Sequence, residues 1–495
     1  MKNSILLFIL VVISGNFYAQ RNITLADLKT PYSYRVNPAV MPESKFFISF
    51  LPLLGTQNFQ FTNRIAAINE VFVPDASGDS GDSLVLNSSE SFYNRMGKKT
   101  YLGLEMTNQI FAFGFKVKKN YFTLDISNRL NVELGLGSDL LKFIAQGNGS
   151  DLLLGKRASF DGLGPSLLSY IEYGLGYTRN VNDKLSVGGR LKLLSGLANL
   201  KGSIPKFGIK TDSSDYSLTI DGEVDLKSSN TAIFSDSAYT SNLDYMRLAK
   251  MAYNFSNLGF GIDLGGTYKL LDNVVLKASV IDLGFIKWTQ GIANYQVKPF
   301  SYKFSGINLN EALKENSNTD TESLTDSLSS IFKTGKSTES YITGLPTRVY
   351  LGGDYIWNKY FTSGVNFYNE FYNSSYRAGL IISSTLSVSH WFGMTLNYGM
   401  YAGSFSNVGL GLRLRGFYIL TDNLVSAINY QATRVASIAF GFNITVGKTK
   451  DEKKKDKTKP ADKSKPDKVT PTNKTITPSD NSVTPGTKDK VIENK

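Results

Sequence analysis

Asp125, Arg129 and Glu133 stand four residues apart, with Ser127 and Asn131 at the odd positions between them. Glu172, the pair Arg190 and Lys192, and the pair Arg413 and Arg415 keep the same two-residue rhythm further along. Carboxylates and guanidinium groups at even spacing on an extended chain project to one side. There they have two roles open to them: to pair into an ion and hydrogen-bond network that fills an interior, or to line a solute path. Catalysis has poorer material. The single His, His390, follows Ser389 in a turn, whereas an outer-wall lipase needs a Ser and a His held by a third polar group. With no Cys and no second His, only scattered carboxylates remain for a metal, so neither a metal nor a cofactor is expected. The Gly-X-Gly runs fall inside strand patterns, where small residues ease barrel curvature; none opens a helix that could cradle phosphate.

The elements that carry these residues read as long strands. From Tyr121 to Leu134 the odd positions are polar, apart from Tyr121, and the even ones are apolar except for Asn128. Such a period of two is a strand signature. An ordinary strand has about 5 to 6 residues, whereas a tilted strand crossing a bilayer needs roughly 9 to 11. The length favours a membrane barrel with Phe122, Leu124, Ile126, Leu130 and Val132 towards lipid and Asp125, Arg129 and Glu133 towards a wet lumen. A soluble β-protein with one dry face would show the same alternation over this one segment.

Fourteen strand candidates cover 45–61, 104–118, 120–134, 170–181, 184–199, 257–270, 273–287, 347–357, 360–371, 376–387, 391–401, 406–418, 424–432 and 434–446. Tight turns are expected at Lys119-Asn120, Asn182-Asp183, Leu271-Asp272-Asn273, Asn358-Lys359 and Thr421-Asp422-Asn423. Long connections at 135–169, 200–256 and 288–346 alternate with them. Short and long links on opposite parities are the pattern of a barrel with periplasmic turns at one end and extracellular loops at the other. An even count leaves both chain ends in the periplasm. Ser138 to Gln146 and Leu243 to Ala252 read as short amphipathic helices packed on the barrel mouth.

The two ends differ from the body. Lys2 followed by the apolar run Ile5 to Ile13, with small Ala19 after Phe17-Tyr18, is a signal-peptide pattern over residues 1–19. Residues 448–495 hold fourteen Lys against eight acidic residues, and five Pro, so half of the net charge of +12 belongs to this tail. With so little apolar surface to bury, the tail is expected to be disordered. It is a solvated spacer or an attachment to the anionic cell wall or a periplasmic partner. An exported chain whose excess charge is this diluted over its body does not suit nucleic acid.

Several stretches resemble a domain-of-unknown-function family of outer-membrane barrels in Bacteroidota, itself similar to the FadL-like long-chain fatty-acid transporters. They are Asn37-Pro38-Ala39-Val40-Met41-Pro42 with Lys45-Phe46-Phe47-Ile48, Lys119 to Ile126, Tyr173-Gly174-Leu175-Gly176-Tyr177, and Lys184 to Lys192. The resemblance implies fourteen strands and an N-terminal hatch folded into the barrel, with Asn37, Pro38 and Ala39 as the motif near its tip. The basic tail is a departure from the transporters. The expected architecture is therefore all-β: a transmembrane antiparallel barrel of about fourteen strands over 45–447, with a plug over 20–44 and a disordered tail. Its expected role is passive transport of a small hydrophobic solute across the outer membrane, whose lipid is then its first partner. The alternative is a scaffolding barrel that anchors a secretion, gliding or cell-envelope complex. In the first reading the lumen charges also hold the plug.

Overall fold

The computed structural model describes residues 27–50, 55–74, 84–96, 100–204, 206–231, 255–305, 335–373, 375–389, 391–401, 405–429 and 434–448. The signal-peptide pattern, the helix expected at Leu243 to Ala252, His390 and the tail beyond 448 lie outside the described residues.

Fourteen strands close into an antiparallel ring. They are β1 (Ser44–Phe50 with Gln57–Asn63), β2 (Thr100–Val117), β3 (Asn120–Leu136), β4 (Gly164–Asn180), β5 (Leu185–Ser203), β6 (Leu258–Leu271), β7 (Val274–Trp288) and β8 (Thr347–Ile356). The second part of the ring is β9 (Phe361–Tyr372), β10 (Ser375–Ser389), β11 (Phe392–Tyr401), β12 (Phe405–Leu414), β13 (Phe417–Thr421) and β14 (Val435–Phe442 with Ile444–Lys448). Each pairs with its neighbour in sequence, and β14 returns to β1 through Phe46 opposite Val446 and Phe59 opposite Ile438. Closure satisfies every strand edge, which a sheet in hydrocarbon requires.

The outer face is apolar all round. Every strand exposes at least one large apolar side chain; Leu124, Leu191, Leu276, Leu351, Ile382, Leu396 and Ile438 are examples, each about two-fifths exposed or more. On β3 the two faces separate cleanly: Phe122, Leu124 and Leu134 are exposed, whereas Tyr121, Thr123, Asp125, Ser127, Arg129, Asn131 and Glu133 are buried. Near the short turns, Phe115, Phe122 and Tyr177 form a row with ring centroids 5.4 and 5.3 Å apart. Trp357 and Trp391 stand exposed at the same end. An apolar belt edged by aromatic rings is the outer surface of a barrel set in a bilayer, and among the described residues no helix is long and apolar enough to cross one.

The long connections build structure at the opposite end. Gly208–Thr211, Leu218–Ser229 and Asn294–Phe304 pair in a sheet continuous with β5. Helix α1 (Ser138–Gln146) places Leu140 and Phe143 against Phe160, Phe207 and Ile209 there.

One expected hairpin is displaced. The strand candidate at 406–418 ends at Leu414, because Arg415 takes a left-handed φ of 54° and Gly416 follows it in the turn. The next strand is β13, and the stretch read as a strand over 424–432 instead begins with a short helix, α2 (Val425–Ile428). Asn423 still uses its turn chemistry, but to start this helix: its Oδ1 accepts from Val425 N at 3.1 Å, and its carbonyl accepts from Ser426 Oγ at 2.6 Å.

Candidate functional site inside the barrel

Residues 27–42 lie against the inner wall. Pro31 pre-sets the turn that becomes a 3-10 helix over Pro31–Arg35, and Ser33 donates through both N and Oγ to the Thr30 carbonyl, at 3.1 and 2.8 Å. This tight coil sends successive side chains in different directions. Leu28 and Tyr32 pack with Tyr418, Leu420 and Ala439. Tyr34 stacks on Phe47, which in turn stacks on Tyr121. Val36 joins Ile281, Tyr350, Tyr368 and Ile381. The segment thus touches wall strands on several sides of the ring.

Asn37, Pro38 and Ala39 are seated on a further stretch of wall. Asn37 Oδ1 accepts from Ala39 N at 2.9 Å, which closes a local turn. Its Nδ2 donates to the carbonyls of Gly266 and Ala278 at 3.3 and 3.2 Å. Thr178 Oγ1 donates to Pro38 O at 2.5 Å, and Ser186 Oγ to Ala39 O at 2.8 Å. The approach requires glycine beneath it: a Cβ at Gly188 would overlap the Pro38 carbonyl, and one at Gly265 would overlap Asn37 Oδ1.

Above this seat the inward charges join into one network. Arg190 donates to Asp125 and Asp263 at 2.6 Å each and to Glu172 at 3.0 Å. Lys192 bridges Asp263 and Asp282. Arg129 reaches Glu172 at 3.2 Å and Asp282 at 3.5 Å, and donates to Thr107 Oγ1 at 2.9 Å. Arg348 binds Asp282, Glu370 and Glu105 at 3.1, 3.0 and 2.8 Å. Arg377 grips both oxygens of Glu133 at 2.7 and 2.8 Å, and Glu370 at 2.7 Å. Most of these side chains are almost wholly buried, and single deletions should be costly because the partner would be left charged and unpaired.

Two of these contacts decide what the interior is. Glu133 is on β3 and Arg377 on β10, seven strands apart in a ring of fourteen, so their bidentate pair spans the bore. Arg348 on β8 and Glu105 on β2 are six strands apart. At this level the bore is crossed by ion pairs.

The N-terminal segment enters the network through Arg35, which donates to Asp125 Oδ2 and Ser127 Oγ and lies 3.5 Å from Glu172. Burial disfavours its charge, but Asp125, Tyr32 and Glu172 outweigh that, so its pKa is raised above the usual guanidinium value. A second ionic contact lies beside a small cavity of about 140 Å³. There Lys277 binds Asp354 at 2.7 Å and approaches Asp27 at 3.7 Å. Burial raises the Asp27 carboxyl above its usual range, against the opposing pull of Lys277.

Of the residues singled out by sequence, Asp125, Arg129, Glu133, Glu172, Arg190 and Lys192 all stand in this network. Arg413 is inward and buried on β12, nearer the short-turn end. Arg415 is a correction: its left-handed turn conformation takes it off the inner face, and it is exposed. Sequence reasoning missed Arg35, Glu105, Asp263, Asp282, Arg348, Glu370 and Arg377. Arg348 shares the inward parity of Tyr350, and the same alternation continued along β9 and β10 would have found Glu370 and Arg377.

Residues 38–422 match the model of a family of unknown function, DUF5723. The chain belongs to that family. No curated protein matches it. Similar solved structures include the Ralstonia pickettii toluene transporter TbuX, at TM-score 0.37 and 11% identity over 84% of this chain and 94% of that one. A Pseudomonas aeruginosa FadL homologue gives 0.37 and 10% over 87% and 97%. The Pseudomonas putida toluene transporter TodX gives 0.30 and 11% over 87% and 94%.

Proposed function

We propose that this barrel is a gated outer-membrane conduit for a small hydrophobic solute, with both chain ends in the periplasm and residues 27–42 acting as the movable plug. The observation that carries the gate is the placement of that segment: it is hydrogen-bonded to the wall at Asn37, Pro38 and Ala39 and ion-paired at Arg35, all through contacts that can be broken without unpairing a strand. The solute class is supported by an apolar hollow of about 890 Å³ in the outer wall. Leu124, Leu175, Leu191, Phe260, Leu283 and Phe285 line it. Its volume suits a small ligand, and Asp125 and Lys192 of the network contribute to the same stretch of wall. A solute held there would sit one strand thickness from Arg190.

Filling the hollow tests this. With Leu175→Trp and Leu191→Trp together, cells should take up a fluorescent hydrophobic probe more slowly at an unchanged level of folded barrel. Unchanged uptake would favour a second reading, a sealed barrel that anchors a cell-envelope partner. That reading draws on the ion pairs across the bore and on the +6 charge of residues 448–495. Truncation after residue 447 should then release a co-purifying partner, whereas a conduit should keep its uptake.

A further inference from the structure

We propose that Arg35 is the tethered occupant of a cation-receiving site on the inner wall, and that withdrawal of its segment leaves a bore that prefers small cations to anions. The inference rests on the gated reading above and adds to it the charge selectivity of the open state.

The site is built from wall residues. Asp125 and Glu172 are fully buried carboxylates on adjacent strands, and Ser127 adds a hydroxyl two residues from Asp125. Asp125 divides its oxygens: Oδ1 accepts from Arg190 of the wall, while Oδ2 accepts from Arg35. Removal of the segment leaves Arg190 in place and opens Oδ2 and the Ser127 hydroxyl. Both are then free to meet a cation or its hydration water.

The charge count agrees. The connected network contains six cations, namely Arg35, Arg129, Arg190, Lys192, Arg348 and Arg377. Against them stand seven carboxylates, at Glu105, Asp125, Glu133, Glu172, Asp263, Asp282 and Glu370. Only Arg35 belongs to the segment, so its departure leaves five cations against seven anions. The other ionic contact changes differently. Asp27 leaves with the segment, and Lys277 keeps Asp354 at 2.7 Å as a neutral pair. Arg413 stands two residues before the β12–β13 turn, away from the crossing pairs. The excess negative charge therefore sits on the inner wall at Asp125 and Glu172, and there a low-dielectric wall concentrates its field.

The test uses planar bilayers under a KCl gradient, with the chain lacking residues 27–42 and, separately, with Arg35→Gln, Gly188→Ala and Gly265→Ala together in the full chain, which removes the ion pair and unseats the Asn37-Pro38-Ala39 turn. Either variant should conduct, with K⁺ favoured over Cl⁻ by roughly tenfold. Adding Asp125→Asn should reduce that preference. Currents without a cation preference would overturn the inference and leave the gate standing. Barrels that migrate as folded yet carry no current in either variant would overturn both. Because the triple variant keeps the segment, the test survives a deletion that fails to assemble.

Discussion

Alanine at both Gly188 and Gly265 should unseat the Asn37-Pro38-Ala39 turn. The two new Cβ atoms would occupy the space of the Pro38 carbonyl and of Asn37 Oδ1, and the Gly188 one would also stand 2.8 Å from Ala39 N. The turn can only respond by lifting off, which breaks four bonds to the wall: two from Asn37 Nδ2, one from Thr178 and one from Ser186. At about 1 kcal/mol each, roughly 4 kcal/mol of docking is lost, a shift of about a thousandfold in the docked-to-released ratio. The strands themselves should not weaken, since glycine is a poor strand residue. The chain has no Cys, so Ser33→Cys provides a unique thiol at a position only 2% exposed. Maleimide should label it slowly in the parent barrel and faster by up to the same factor in the double alanine variant. Equal labelling rates in two folded barrels would refute the reasoning, because they would mean the wall does not hold the turn.

Arg377→Ala should destabilise the barrel by about 3–5 kcal/mol, because Glu133 and Glu370 lose their shared cation in a buried site. Arg377→Met with Glu133→Leu should cost less, and the urea midpoint followed by tryptophan fluorescence separates the two. Docking of the segment should also depend on pH. Asp27 has a raised pKa when docked and an ordinary one, near 3.8, when released, so the docked state holds its proton more tightly. Docking should be strongest below that value and weaken as pH rises through the window above it, as read by the Ser33→Cys labelling rate divided by that of a free thiol at the same pH, since the thiolate is the reacting form; Asp27→Asn should flatten the dependence of that ratio.

The period-two pattern made most of the wall legible, because a face that meets lipid must stay apolar along every strand. Pro52 and Gly55 in the sequence also signal an interruption of the first strand, which runs as Ser44–Phe50 and Gln57–Asn63. At β12–β13 the rhythm was misleading: Val408 to Arg415 alternates without interruption, and only the left-handed backbone at Arg415 shows where the strand stops. Two members of the network were hidden, each for its own physical reason. Asp282 faces inward on β7, where the register against β6 slips between Ile262 and Leu264, and its φ is 59°, so simple parity does not place it. Arg35 lies in an irregular stretch with no periodicity, and its partner Asp125 is 90 residues away. Local sequence carries no sign of such a pair, nor of Glu133 meeting Arg377 across the bore.

Conductance of the intact protein in a planar bilayer bears most directly on the closed bore. With the ion pairs crossing it and the N-terminal segment docked, the parent barrel should be silent; deletion of 27–42 should produce stable current steps, and adding Arg377→Ala should enlarge them. Steady current through the unmodified barrel, of the size expected for an unobstructed fourteen-strand pore, would contradict it.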